Sequence, residues 1–230
     1  MDNTSIIIEA LVLISTLDEN LIDIISTSLT VSITAVFFSC IISIPVAVII
    51  SIKEFTGKNI ITTIVNGLMG LPPVVVGLFI YLLLSYQGPL AAYNLLYTVW
   101  AMVIAQFVIV TPIIIALSKQ TIDSIFYEYK DFIKSIGLTT FKSMTLLIWE
   151  TRDLMLVNGL AGLGRAFAEV GAVIIVGGNI AHETRVLTTS IALETSRGDL
   201  VKAMALGLIL ILLSILISTL TNMIKTYSCK

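Results

Sequence analysis

The sequence predicts an all-α membrane protein, a polytopic bundle of about five transmembrane helices with a short interfacial helix at its N-terminus. Three observations predict it. The 230 residues are 57% hydrophobic and only 12% charged, and the mean hydropathy is +1.04, more apolar than soluble domains are. Residues Ile24–Ile52 and Asn59–Ser118 carry no charged side chain, and ~20 such residues cross a bilayer core of ~30 Å. The remaining charges gather between apolar runs, above all in Phe126–Ser143, FYEYKDFIKSIGLTTFKS.

Taken in order, the chain opens with MDNTSIIIEALVLISTL. No basic residue precedes its apolar part, so it is not read as a secretory signal. The run is too short to cross a bilayer, and Ile6–Leu17 is expected to lie in the interface. Span 1 is Ile24–Ile52, with Pro45 inside it, closed by Lys53, Glu54 and Lys58. The next uncharged stretch holds two crossings divided at the turn signal Gln87-Gly88-Pro89. That gives span 2 at about Ile60–Ser85 and span 3 at about Asn94–Ser118, the latter containing Pro112.

A polar elbow follows at about residues 123–143. Asp131–Ile136 reads as a short amphipathic helix with Phe132, Ile133 and Ile136 on one side. Gly137 stands where a left-handed helix stop is expected, and Thr139 or Thr140 would cap the next helix. Span 4, Leu154–Gly178, is interrupted by Arg165 and Glu169. The polar stretch Asn179–Lys202 holds a short helix, Thr189–Arg197, stopped by Gly198; span 5 is Ala203–Ile224. The whole chain is thus expected to be a single transmembrane domain.

Five spans put the chain ends on opposite sides. One side collects Lys53, Lys58, Lys119, Lys130, Lys134, Lys142, Arg152, Lys225 and Lys230; the other has Arg185, Arg197 and Lys202. The positive-inside rule makes the first side cytoplasmic. The elbow is then expected inside the cell, the Asn179–Lys202 loop and the N-terminus outside, and the C-terminus in the cytoplasm.

Within the spans, Leu71-Pro72-Pro73 removes two helix donors and pushes Leu71 from helical geometry. Such a break survives at membrane depth where protein buries it or where it lines a cavity. It therefore reads either as a broken helix beside a translocation path or as a packing kink. Arg165 and Glu169 are one turn apart and expected to pair; intramembrane charges face the bundle interior or water. They read as a structural ion pair or as a gate opened by re-partnering. Thr62, Thr63, Asn66 and Asn158 offer uncharged polar groups, which suits an anion conduit. Gly159, Gly162 and Gly164 suit close helix packing.

Several classes are excluded. A net charge of −2 gives no basic face for nucleic acid. Cys40 and Cys229 are isolated and His182 is the only histidine, so neither a metal site nor a disulfide framework is expected. No Walker phosphate loop, dinucleotide fingerprint or catalytic triad is present. No cofactor is expected and the chain is not read as an enzyme; active transport would draw its energy from another subunit. A secondary transporter would be expected to show an internal repeat, and none is found. A membrane enzyme would need polar catalytic residues that the spans lack.

Several motifs carry a family resemblance. Leu71-Pro-Pro-Val-Val-Val-Gly-Leu78, Gln87-Gly-Pro-Leu90, Trp100-Ala-Met-Val-Ile-Ala-Gln106 and Thr111-Pro112 are followed by Gly164-Arg-Ala-Phe-Ala-Glu-Val-Gly171. Gly177-Gly-Asn-Ile180, Thr184-Arg-Val-Leu-Thr-Thr189, Ile191-Ala-Leu-Glu-Thr195 and Gly198-Asp199 complete the set. Together they resemble, over nearly the whole chain, the permease subunits of oxyanion ABC importers of the molybdate and tungstate branch. The outer-loop wording leans towards the tungstate permease. Asp131-Phe-Ile-Lys-Ser-Ile-Gly137 is similar to the family's cytoplasmic coupling loop, with Asp131 in place of its glutamate and Phe132 and Ile133 in place of two alanines.

The resemblance implies a type I importer permease driven by ATP hydrolysis in a partner ATP-binding subunit, which would dock at Asp131, Lys134, Ser135, Gly137 and Thr139. It implies a homodimeric pore in the cell membrane, with Asn66, Pro72, Pro73, Arg165 and Glu169 at the translocation path or gate. It also implies an external oxyanion-binding protein that meets Thr184, Arg185, Thr188 and Thr189. Tungstate is the expected cargo, with molybdate or another tetrahedral oxyanion as the alternative.

Overall fold

The computed structural model describes residues 3–16 and 18–228. Leu17, Cys229 and Lys230 lie outside the described residues, as does the side chain of Lys134. Among the described residues the regular structure is entirely helical. Three helices are long and apolar enough to cross a membrane, and two sharply bent helix pairs bring the number to five. The expected all-α bundle is therefore observed, with five spans when each bent pair is counted as one crossing.

Helix α1 (Asn3–Thr16) is followed by α2 (Glu19–Ile52), α3 (Lys58–Leu68) and α4 (Pro73–Leu84). A 3-10 turn at Ala91–Tyr93 leads to the longest helix, α5 (Val99–Ile136). Then come α6 (Thr140–Glu150), α7 (Arg152–Phe167), α8 (Gly171–Gly177), α9 (Leu187–Arg197) and α10 (Leu200–Ser228). Buried Ile6 and Ala10 mark the face of α1 that packs on α10, while Ile7, Ile8, Leu11 and Val12 remain exposed.

Helix α5 is the axis. Towards its start, Ala101, Met102 and Ala105 form a core with Val31 and Ala35 of α2, Val76 and Ile80 of α4, and Val173 and Val176 of α8. Towards its end, Ile115, Ile122 and Ile133 pack on Ala47, Val48 and Ile50 of α2 and on Leu147 of α6. Helices α2 and α5 therefore run side by side in the same direction. Between the two cores, Ser39, Ser43 and Thr111 share hydroxyl contacts of 3.1–3.4 Å, so these three hydroxyls are satisfied without water.

Span 3 differs from its expected bounds at both ends. Asn94 and Tyr97 have positive φ, 49° and 62°, so the helix cannot begin before the chain leaves these turns. At the other end α5 runs straight through Asp131–Ile136, which is its last turns and not a separate helix. No Gly or Pro interrupts Ser118–Ile136, and the ion pair Lys119–Asp123 at i,i+4 supports continuation. The short helix of the Asn179–Lys202 stretch starts at Leu187, two residues earlier than expected, and stops as expected at Gly198, with φ +79°.

Spans 2 and 4 are the bent pairs. Helices α3 and α4 meet at 98° across Met69–Pro72, and α7 and α8 at 65° across Ala168–Val170. The proline pair accounts for the first break, since Pro73 is the first residue of α4, where a missing N–H costs nothing. Val65 of α3 joins the core at the end of α5 and Leu71 the one at its start, so the break sits beside the middle of α5.

Candidate functional site

The second break is held together by a buried polar hinge. A helix that ends inside a bundle leaves carbonyls and amides without partners, and no water is at hand to take them. Glu169, 3% exposed, meets this need with its side chain. Its Oε1 accepts the Ala172 N–H at 3.1 Å, at the start of α8. Its Oε2 accepts Arg165 Nη1 at 2.9 Å. The Thr188 hydroxyl donates to the Glu169 carbonyl at 2.8 Å, and Gln106 Nε2 donates to the Ala166 carbonyl at 3.1 Å. Helices α5, α7, α8 and α9 thus converge on one carboxylate and the turn that bears it.

The expected pairing of Arg165 with Glu169 is present, and it is lopsided. The arginine side chain is 33% exposed and the carboxylate 3%, so the guanidinium reaches outwards while the carboxylate is locked in. Sequence reasoning missed the partners of the hinge. Gln106 is an isolated polar residue in an apolar stretch, and that isolation was the available signal; Ser28 sits among Ser26, Thr27 and Thr30 and carried none. Ser28 Oγ accepts the first N–H of α9, from Leu187, at 2.8 Å, acting as a helix cap supplied from α2.

The two breaks are neighbours. A Cβ added to Gly77 would lie 2.6 Å from Ala172 Cα, and one added to Gly171 would lie 2.7 Å from Val74 Cγ2. The half-helices α4 and α8 therefore touch almost backbone to backbone just beyond their breaks. This brings Pro73, at the start of α4, and Glu169, which caps α8, into one region, with Pro72 exposed at its edge. Asn66 is not part of it. With Thr62 it lines a separate groove against Lys119, Gln120 and Asp123 of α5.

The elbow lies at the far end of α5. Gly137 has φ +66°, and the Leu138 N–H bonds the Ile133 carbonyl at 3.3 Å, the six-to-one bond of a Schellman stop. A Cβ at Gly137 would touch nothing within 4 Å, so backbone conformation alone requires glycine there. Asp131, Ser135 and Thr139 are exposed. The expected threonine cap is absent: Thr139 takes the position, but its side chain makes no cap bond. Its carbonyl instead receives the Ser143 N–H at 2.9 Å and the Ser143 hydroxyl at 3.1 Å. Tyr129 donates its phenol to Glu150 Oε1 at 3.0 Å, strapping α5 to the end of α6. That carboxylate holds the phenol pKa above its usual value.

The threonines of the Asn179–Lys202 stretch correct an expectation. Thr184, Thr188 and Thr189 are 1%, 8% and 0% exposed, so their side chains are not placed to meet an external protein. Thr184 Oγ1 donates to the Gly177 carbonyl and accepts the Ile180 N–H. Thr189 Oγ1 accepts the Val186 N–H and approaches Asn179 Oδ1 at 2.9 Å. These hydroxyls pin the loop that follows α8, because buried polar groups must find partners. The exposed residues of this loop are Gly178, Ile180, Ala181, His182 and Glu183, with Arg185 half-buried.

No metal-binding cluster of His, Cys, Asp and Glu occurs among the described residues. No family model matches the chain. Curated relatives do. The tungstate uptake system permease protein TupB of Campylobacter jejuni is 36% identical over 217 residues, 94% of this chain and 91% of the relative. TupB of Peptoclostridium acidaminophilum is 38% identical over 209 residues, 91% and 92% of the two chains. A probable anion ABC transporter permease of Haloferax volcanii is 36% identical over 198 residues, 84% and 85%. Matches of this identity along nearly the full length of both partners, on a five-span helical bundle, make the chain a member of the ABC transporter permease family.

Proposed function

We propose that the chain is the membrane-spanning permease subunit of a binding-protein-dependent importer that carries tungstate. The observation that carries this reading is the 36% and 38% identity to two tungstate uptake permeases, over 94% and 91% of the chain. The fold supports it. Five passages bring the elbow and most of the cationic side chains to one end of the bundle, and a polar hinge beside two broken helices interrupts the other half.

In this reading the energy comes from an ATP-binding subunit that docks on the cytoplasmic elbow through Asp131, Lys134, Ser135, Gly137 and Thr139. Two copies of the chain enclose the path. The stacked breaks at Pro72–Pro73 and Arg165–Glu169 form the element that rearranges, because a broken helix changes angle with few hydrogen bonds lost. Asn66 faces the inner end of the route. An external binding protein meets the loop at Arg185 and the neighbouring exposed His182 and Glu183, in place of the buried threonines. Cargo passes groups that hold it weakly, as conduction requires, so discrimination between anions belongs to the binding protein.

Competition uptake tests the cargo. Cells accumulating labelled tungstate should be inhibited most strongly by unlabelled tungstate, then molybdate, with sulfate and phosphate far weaker. Stronger inhibition by molybdate than by tungstate reassigns the cargo to molybdate. Inhibition by sulfate alone ends the tungstate reading.

A further inference from the structure

A cavity of about 230 Å³ opens between α1, α2, α9 and α10 at the end of the bundle opposite the elbow, apart from both breaks. Charged side chains of both signs line it, and most of them are mutually satisfied. Glu194 accepts Arg197 Nη1 at 3.1 Å. Asp23 bonds His182 Nδ1 at 2.9 Å. Asp18 accepts the Asn20 side-chain amide at 3.3 Å, and Lys202 pairs with Asp199 at 3.5 Å.

Two lining groups are left over, and both are able to donate. Arg185 has no carboxylate within ion-pair distance among the described residues; its guanidinium reaches only the Asn179 carbonyl, at 3.4 Å, and its buried Nε has no acceptor. Ser190, 1% exposed, has a buried Oγ without a partner. Five buried side-chain polar atoms lack a partner among the described residues, and two of them belong to residues that line this one cavity. A water molecule would satisfy a hydroxyl, but a partly buried guanidinium with no counter-charge calls for an anion. Arginine's planar fork matches tetrahedral oxyanions in particular.

We propose that this cavity is an anion site for one tetrahedral oxyanion, held by Arg185 and Ser190. The oxyanion is either free in solution or the phosphate of an anionic lipid headgroup. That the free form is the transported dianion rests on the uptake reading above; the site itself does not. Arg197 and Lys202 line the same space, each already paired with a carboxylate.

The test uses the full chain purified in neutral detergent without partner subunits. Labelled tungstate in equilibrium dialysis and labelled phosphatidylglycerol in mixed micelles are the two probes. One of them should bind saturably, at about one per chain. Arg185→Gln should weaken binding by at least about tenfold, as expected for loss of a charged hydrogen bond. Ser190→Ala should weaken it less, and Lys225→Gln, at the far end of α10, should leave it unchanged. Tungstate binding displaced by inorganic phosphate assigns the site to free oxyanions; binding of the lipid alone assigns it to a headgroup. Saturable binding of neither probe overturns the proposal, as does wild-type affinity in folded Arg185→Gln. If that variant does not fold, wild-type affinity in Ser190→Ala overturns it. Intact tungstate binding in a chain that supports no tungstate uptake in cells counts against the importer reading alone.

Discussion

At Gly77 a single hydrogen separates two half-helices. Replacing it by Ala puts a carbon 2.6 Å from the Ala172 backbone, and a backbone cannot swing aside as a side chain does. Gly77→Ala should cost about 1–3 kcal/mol and lower the unfolding midpoint of the detergent-purified protein. Gly164→Ala, where the added carbon meets nothing within 4 Å, should leave the midpoint unchanged or raise it. Equal midpoints for the two variants would separate α4 from α8. Glu169 invites a second comparison. Gln keeps an acceptor for the Ala172 N–H and loses the charge, whereas Ala loses both. Glu169→Gln should therefore insert and unfold near the wild-type temperature with reduced uptake, and Glu169→Ala should be the less stable of the two by about 1–3 kcal/mol. Glu169 was visible in the sequence as a charge inside an apolar run. The side chains that bond the carbonyls of its turn, Gln106 to Ala166 and Thr188 to Glu169, were not, because that turn exists only after the helix has broken.

The elbow was the most legible element. A glycine after an amphipathic turn foretells a left-handed stop, and Gly137 provides one. The cap beyond it was misread, because threonine is a common cap and sequence cannot show that the Thr139 carbonyl, and not its hydroxyl, makes the bonds. The two residues therefore predict opposite outcomes. Gly137→Val places a β-branched side chain at φ +66°, costing roughly 1–2 kcal/mol of local strain. Uptake and substrate-stimulated ATP hydrolysis by the assembled transporter should fall together while membrane insertion persists. Thr139→Ala removes no cap bond and should change stability by less than about 0.5 kcal/mol; a larger loss would mean that its hydroxyl has a partner in the assembled transporter. The continuity of α5 into the elbow was hidden for a different reason. A change from apolar to polar composition reads as a boundary, yet a helix leaving a membrane needs no break where propensity and an i,i+4 ion pair carry it on.

Over the whole molecule, the five passages and their alternation were legible because long uncharged runs leave few other ways to arrange the chain. The two bends were foreseen only in part: prolines announce the first, while at the second the charge of Glu169 was visible but its role as the cap of a new helix was not. Orientation is testable with one cysteine at a time in a variant lacking Cys40 and Cys229. A cysteine at exposed Glu183 should react with an impermeant thiol reagent in intact cells, and one at exposed Lys130 should react only after permeabilisation. The reverse pattern inverts the molecule. The short helix α4 has a consequence for how a cell makes this protein. Its 12 residues rise only ~18 Å, well short of the ~30 Å of hydrocarbon. The residues at its break, Met69, Gly70 and Pro72, are exposed in the single copy, and lipid does not tolerate exposed irregular backbone. A lone copy is therefore an unfinished surface, and its half-life in the membrane should be set by how soon another protein covers that break, which makes synthesis of the chain a question of stoichiometry as well as of folding.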